Sequence, residues 1–146
     1  MRLIDANVLL YANNADAEHH LAARNWLLEA LLGPEVLIVP WTNVISYLRI
    51  GTDPRIHPDA NTLPEAFAFI TAVLEADAVI AGDPDQHHFE RMAQMLRATG
   101  RGGNLVNDAH MAALALQYDA TVISYDNDFG RFPGVRWERP PPVPAD

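Results

Sequence analysis

Short apolar runs alternate with longer stretches of helical periodicity along this chain, and that alternation restricts its fold more than any other feature. Leu3 and Ile4 form the first run, which ends at Asp5. Val8, Leu9, Leu10 and Tyr11 follow and suit a turn into a helix. Over 20–32, Leu21, Trp26, Leu27, Leu28, Leu31 and Leu32 recur at helical spacing, and Gly33-Pro34 closes the stretch. Residues 36–39 are apolar and largely β-branched, as in a buried strand. Pro40 stops that strand, and 41–50 reads as helix. Pro54 and Pro58 make 53–61 a loop, and Pro64 suits the first turn of a helix carrying Phe67, Ile70, Val73 and Leu74. Residues 78–81 are a further strand candidate. The amphipathic stretch 87–99 carries Phe89, Met92, Met95 and Leu96 on one face, and Gly100, Gly102 and Gly103 then form a turn. Ala109, Ala112, Ala113 and Leu116 give 107–118 a helical period. Strands are expected at 121–125 and 135–137. Strands separated by helices return by crossover, so the pattern predicts a parallel sheet in an α/β sandwich. Residues 1–139 are expected to form one domain. Pro140, Pro141, Pro142 and Pro144 make 140–146 an extended tail.

Composition narrows the chemistry. With 146 residues, 49% of them hydrophobic and 20% charged, the chain can bury one sizeable core. Its 10 basic residues are all arginine. Without lysine, neither a P-loop nor a Schiff-base enzyme is available. Without cysteine, thiol catalysis, disulfides and thiolate zinc sites are excluded. A net charge of −9 argues against a broad grip on nucleic acid. No apolar run approaches the roughly 18 residues of a membrane span. The opening Met-Arg-Leu-Ile-Asp lacks the apolar stretch of a signal peptide, so a cytoplasmic protein with no membrane partner is expected.

Parallel α/β sheets bind ligands beyond the carboxyl ends of their strands. Asp5 ends the first expected strand, and Asp108 opens the helix of 107–118. Asp126 and Asp128 follow the strand 121–125, and their spacing in an extended segment sets both on one side. Carboxylates brought together repel, and a hard cation such as Mg²⁺ or Mn²⁺ holds them. Singly, each has a plainer reading: Asp5 as a helix cap, Asp108 as a complement to the helix dipole, 126–128 as an ordinary turn. As an ordered set they favour a metal site. The histidines do not. His19 and His20, like His87 and His88, are adjacent and point to different faces. His110 lies about 200° round the helix from Asp108, and no His-Glu-x-x-His is present.

Three segments then carry a resemblance. Asn-Asp-Ala-His-Met-Ala-Ala-Leu-Ala (107–115), Asp-Ala-Thr-Val-Ile-Ser-Tyr-Asp-Asn-Asp-Phe (119–129) and Arg-Phe-Pro-Gly-Val-Arg-Trp (131–137) resemble the C-terminal half of PIN (PilT N-terminus) domain ribonucleases. Among these, the VapC toxins of type II toxin–antitoxin modules are the nearest in pattern. Leu-Ile-Asp-Ala-Asn-Val-Leu-Leu (3–10) is similar to their N-terminal motif, so the resemblance spans the chain. It implies a three-layer α/β/α sandwich around a short, mainly parallel central sheet. It also implies an Mg²⁺-dependent endoribonuclease, with Mn²⁺ as a substitute. Asp5, Asp108 and Asp126 would be metal ligands. Asp128 would complete the catalytic group, with Asp126 or Asp128 orienting water or acting as general base. Asn7 would support the site. The family's usual glutamate on the helix after the second strand is missing, and Asn43 or Ser46 stands in that stretch. Arg49, Arg55 and Arg131 are the candidates for RNA phosphates, which the arginine fork suits. The implied partners are RNA, a cognate antitoxin and a second copy in a homodimer, or a heterotetramer or larger assembly with antitoxin. Trp41, Val44, Ile45 and Leu48, or Phe67, Ile70 and Leu74, would line such interfaces unless they are core.

Two other readings share some of these residues. A haloacid-dehalogenase-like phosphatase needs an aspartate where Asn7 stands, and a lysine. A non-catalytic PIN-like binding module would account for the missing glutamate.

Overall fold

The structure, a computed structural model, describes residues 1–144; positions 145 and 146 of the expected tail lie outside the described residues. Five strands form one sheet: β1 (Arg2–Ile4), β2 (Leu37–Ile38), β3 (Val79–Ile80), β4 (Thr121–Ile123) and β5 (Trp137–Glu138). Their order is β3-β2-β1-β4-β5, and every neighbouring pair is parallel. The helices are α1 (Ala6–Ala12), α2 (His20–Leu32), α3 (Trp41–Gly51), α4 (Leu63–Leu74), α5 (His88–Thr99) and α6 (Leu105–Gln117), with a 3₁₀ turn over Asn127–Arg131.

Both faces of these short strands are covered. Leu3, Ile4, Leu37, Ile38, Val122 and Ile123 are all fully buried, as expected of a parallel sheet between helical layers. Alternate residues point to opposite faces. Ile4 and Leu37 therefore join one core with Val8, Leu27, Tyr47 and Ile70. Leu3 and Ile38 join the other with Met95, Ala109, Ala112 and Phe129. Helices α1 to α4 cover the first face, and α5 and α6 the second. The chain winds outward from β1 to β3, then crosses back to β4 on the other side of β1. This reversal opens a crevice between the C-terminal ends of β1 and β4, where ligands bind in such sheets.

Local chemistry explains several boundaries. A reciprocal capping box starts α4: the Glu65 amide donates to Thr62 Oγ1 at 3.4 Å, and the Thr62 amide donates to the Glu65 carboxylate at 2.9 Å. Gly100 ends α5 with φ +65°, a left-handed conformation that costs glycine little. Gly82, after β3, has φ +71°, and a Cβ there would overlap Ile38 Cγ2.

The structure corrects some details of the sequence reading. Helix α6 begins at Leu105, so Asp108 lies within its first turn and does not open it. The last strand is Trp137–Glu138, not 135–137. Phe89 is 80% exposed and does not share the buried face of Met95. Val44 and Ile70 are core residues, whereas Trp41, Ile45 and Phe67 are 58%, 61% and 50% exposed. Residues 141–144 border a cleft of about 150 Å³ with Ala22, Asn25, Trp26 and Glu29 of α2, so the described part of the tail runs against that helix. Among the described residues, no helix is long and apolar enough to cross a membrane.

Candidate active site

Asp5 occupies the last extended position before α1, with φ −74° and ψ 152°. It stands at the N-cap position, yet its carboxylate does not cap the helix. Instead it accepts from Ser124 Oγ at 2.6 Å and from Asn7 Nδ2 at 3.1 Å. Asn7 Nδ2 also donates to Ser124 Oγ at 3.0 Å, and its Oδ1 accepts the Tyr125 amide at 3.2 Å. The loop after β4 is bound into the same network, because the Asp126 amide donates to Ser124 Oγ at 2.9 Å. Ser124 therefore joins the first loop to the last, although the sequence reading passes over it. Its one signal is a hydroxyl directly after the apolar run of β4.

Asp126 and Asp128 do come together, but not by strand alternation. Asp126 caps the 3₁₀ turn by accepting the Asp128 amide at 2.8 Å, and Asp128 lies inside that turn. The turn places both against the start of α6. Oxygen atoms of Asp108, Asp126 and Asp128 lie within 4.8 Å of one another, each residue half-buried. The trio holds Asp128 where the expected ligand set has Asp5; Asp5 is buried, and its charge reaches Asp108.

Asp108 and Asp5 bear the cost of this crowding. Burial, then the charges of Asp126, Asp5 and Asp128, push Asp108 up to about 7. Burial also raises Asp5, opposed by the hydrogen bond from Ser124. Among the described residues, the cation paired with this group is Arg131, whose Nε lies 3.1 Å from Asp128 Oδ1. A half-buried trio of carboxylate oxygens with so little compensation fits a hard divalent cation, whose preferred ligands are oxygens.

The other expected residues are placed as follows. Asn43 is buried and donates through Nδ2 to the Ile4 carbonyl at 2.8 Å and to Met111 Sδ at 3.1 Å. It thereby ties the start of α3 to the end of β1 and to α6. Ser46, one turn further on, is half-buried. Arg55 forms a two-pronged pair with Asp53, at 3.0 and 2.9 Å, with its side chain 89% exposed. Arg49 is exposed on α3. Of the three candidate arginines, only Arg131 touches the acidic group. One histidine pair was hidden in the sequence: His88 Nε2 and His110 Nδ1 are 2.7 Å apart across α5 and α6.

A sequence model of the PIN domain matches residues 2–135. The chain belongs to the PIN domain family. This PIN domain is 41% identical over 141 residues to Ribonuclease VapC37 of Mycobacterium tuberculosis, covering 97% of this chain and 98% of that protein. Ribonuclease VapC31 of the same organism is 36% identical over 141 residues, with 97% and 99% covered. Solved structures share the fold. VapBC2 from Rickettsia felis, bound to a DNA fragment from their promoter, gives a TM-score of 0.65 at 18% identity, covering 94% of this chain and 97% of that one. FitAcB from Neisseria gonorrhoeae gives 0.65 at 17% identity, covering 96% and 98%. Membership in the PIN family removes the haloacid-dehalogenase-like alternative.

Proposed function

We propose that this PIN domain is a metal-dependent endoribonuclease and the toxin of a type II toxin–antitoxin pair. The observation that carries the reading is the gathering of Asp108, Asp126 and Asp128 beside buried Asp5, at the crevice between β1 and β4. Relatives named as VapC ribonucleases, similar over nearly the whole chain, support it.

Asp5, Asp108 and Asp126 would hold Mg²⁺, or Mn²⁺ in its place. Bound there, the ion would lower the pKa of a water and offset charge on the phosphate. The protein's own groups do the rest. Ser124 and Asn7 donate to Asp5 and favour its charged form despite burial. Asn43 and Ser46 occupy the helix where a glutamate is usual, and Asn43 supports the site by fixing the carbonyl before Asp5. Asp126 or Asp128 orients the attacking water and takes its proton. Arg131, already beside Asp128, offers its fork to a phosphate oxygen. Arg49 and Arg55 are further contacts for the strand.

The partners in this reading are RNA, a cognate antitoxin and a second toxin copy, in a homodimer or a larger toxin–antitoxin assembly. VapBC complexes among the fold neighbours support the antitoxin. Exposed Trp41, Ile45 and Phe67 offer apolar surface for these contacts. The reaction belongs in the cytoplasm, where the RNA is.

The test is cleavage of a structured RNA in Mg²⁺, repeated in excess EDTA and with Asp5→Ala. The expected result is cutting by the wild type in Mg²⁺ alone. Undiminished cutting by Asp5→Ala, or cutting in EDTA, would overturn the assignment. Mg²⁺ binding without any cleavage would instead identify a non-catalytic binding module.

A further inference from the structure

A second feature adjoins the acidic group. Between the α5–α6 loop and the 3₁₀ turn lies a cleft of about 420 Å³. Arg101, Gly102, Gly103 and Asn104 line one side of it, and Asp128 and Arg131 the other. Asp128 belongs both to the carboxylate trio and to the lining of this cleft.

Its charge is unusual for this molecule. Arg2, Arg55, Arg91, Arg131 and Arg136 are paired with carboxylates. Arg139 is held by Asn127 and lies over Trp137. Arg24, Arg49, Arg97 and Arg101 have no carboxylate partner among the described residues. Of these four, Arg101 lines the cleft that contains a member of the acidic group. Its amide donates to Thr99 Oγ1 at 3.4 Å, and that hydroxyl donates to the Leu96 carbonyl at 3.0 Å. Gly102 and Gly103, on the same side as Arg101, carry no side chain, and a Cβ at either would meet nothing within 4 Å.

Two arginines line this one cleft, in an acidic protein without lysine. Arginine binds phosphate oxygens through two parallel N–H bonds. We infer that this cleft seats a backbone phosphate of the RNA strand neighbouring the scissile one, held between Arg101 and Arg131. The inference rests on the ribonuclease reading and adds Arg101 as the residue that positions the strand. Arg101 has no role in bond cleavage; it sets how the strand enters the acidic site.

Binding and cleavage test it separately. Fluorescein-labelled hexauridylate is titrated by anisotropy in Mg²⁺ with the wild type, Arg101→Ala, Arg101→Lys and Arg97→Ala. Arg97 is an exposed arginine of α5 outside the cleft and serves as the control. Arg101→Ala should weaken binding about five- to ten-fold and flatten the log–log salt dependence by about 0.7. Arg101→Lys should recover part of the loss, and Arg97→Ala should match the wild type. On an RNA that the wild type cuts, Arg101→Ala should raise KM while kcat stays within about twofold. No binding of hexauridylate, or equal binding by Arg101→Ala and Arg97→Ala, would overturn the inference. Cleavage of total RNA by the wild type decides the enzyme reading independently. A cutting wild type with an unaffected Arg101→Ala sinks the cleft alone, and Arg101-dependent binding without cutting sinks the nuclease alone.

Discussion

Asp108 is where stability and chemistry oppose each other. Burial and three neighbouring carboxylates raise it from 3.8 to about 7. The folded protein therefore holds this proton more tightly than the unfolded chain does. The stability this contributes is complete below about pH 4 and is lost as pH rises to about 7. Asp108→Asn, which has nothing to titrate, should remove that loss. In thermal melts without metal, the variant should melt above the wild type at about pH 8, and Mg²⁺ should raise the melting point of the wild type only. Equal melting of the two proteins without metal would show that the carboxylates carry no strain. Gly82 is constrained by shape instead of charge. With φ +71° and Ile38 Cγ2 where a Cβ would stand, Gly82→Ala should lose about 1–3 kcal/mol in urea unfolding. At this scale the aspartates were legible, because each follows a strand or lies in the first turn of a helix. Ser124 and the His88–His110 pair were not, since what they touch lies 22 to 119 positions away.

Elements were legible where their ends carry a local signal. Gly33-Pro34 after α2 and Pro64 in α4 marked true boundaries. The structure adds the Thr62–Glu65 box at the start of α4, and Thr62→Ala should cost about 1 kcal/mol in thermal or urea unfolding. An unchanged midpoint would mean that tertiary packing alone holds α4. The start of α6 was misjudged by two residues because Asn104 makes no side-chain cap there. Its alanine period was read correctly, and the structure supplies the reason: Ala109, Ala112, Ala113 and Ala115 are all buried in or beside the second core. Alanine at these positions brings α6 close to the sheet, and so brings Asp108 close to the loop after β4. Phe89 shows the reverse case. It fits the amphipathic period of α5, yet α5 buries only Met95 fully. Periodicity defines a stripe but not how much of it a neighbour covers.

For the whole molecule, charge sets the expected mode of binding. A net −9 and two arginines in the cleft predict a shallow salt dependence for single-stranded RNA, with a log–log slope of about −1.4. Anisotropy titrations across salt concentration measure it, and a slope steeper than about −4 would require a basic surface elsewhere. By itself the sequence determined the alternation of buried strands and helices, and hence a parallel sheet in an α/β sandwich. It also determined that aspartates stand at the strand ends, and that no lysine or cysteine chemistry is available. Both are local properties, set by side-chain period and residue type. Only the tertiary structure decided which carboxylates meet, that Ser124 donates to buried Asp5, and that Arg101 and Arg131 share a cleft with Asp128. Asp5 meets Ser124 because β1 pairs with β4, joining residues more than 100 positions apart, which no local periodicity records. The trio and the cleft form where the α5–α6 loop and the start of α6 meet the turn after β4.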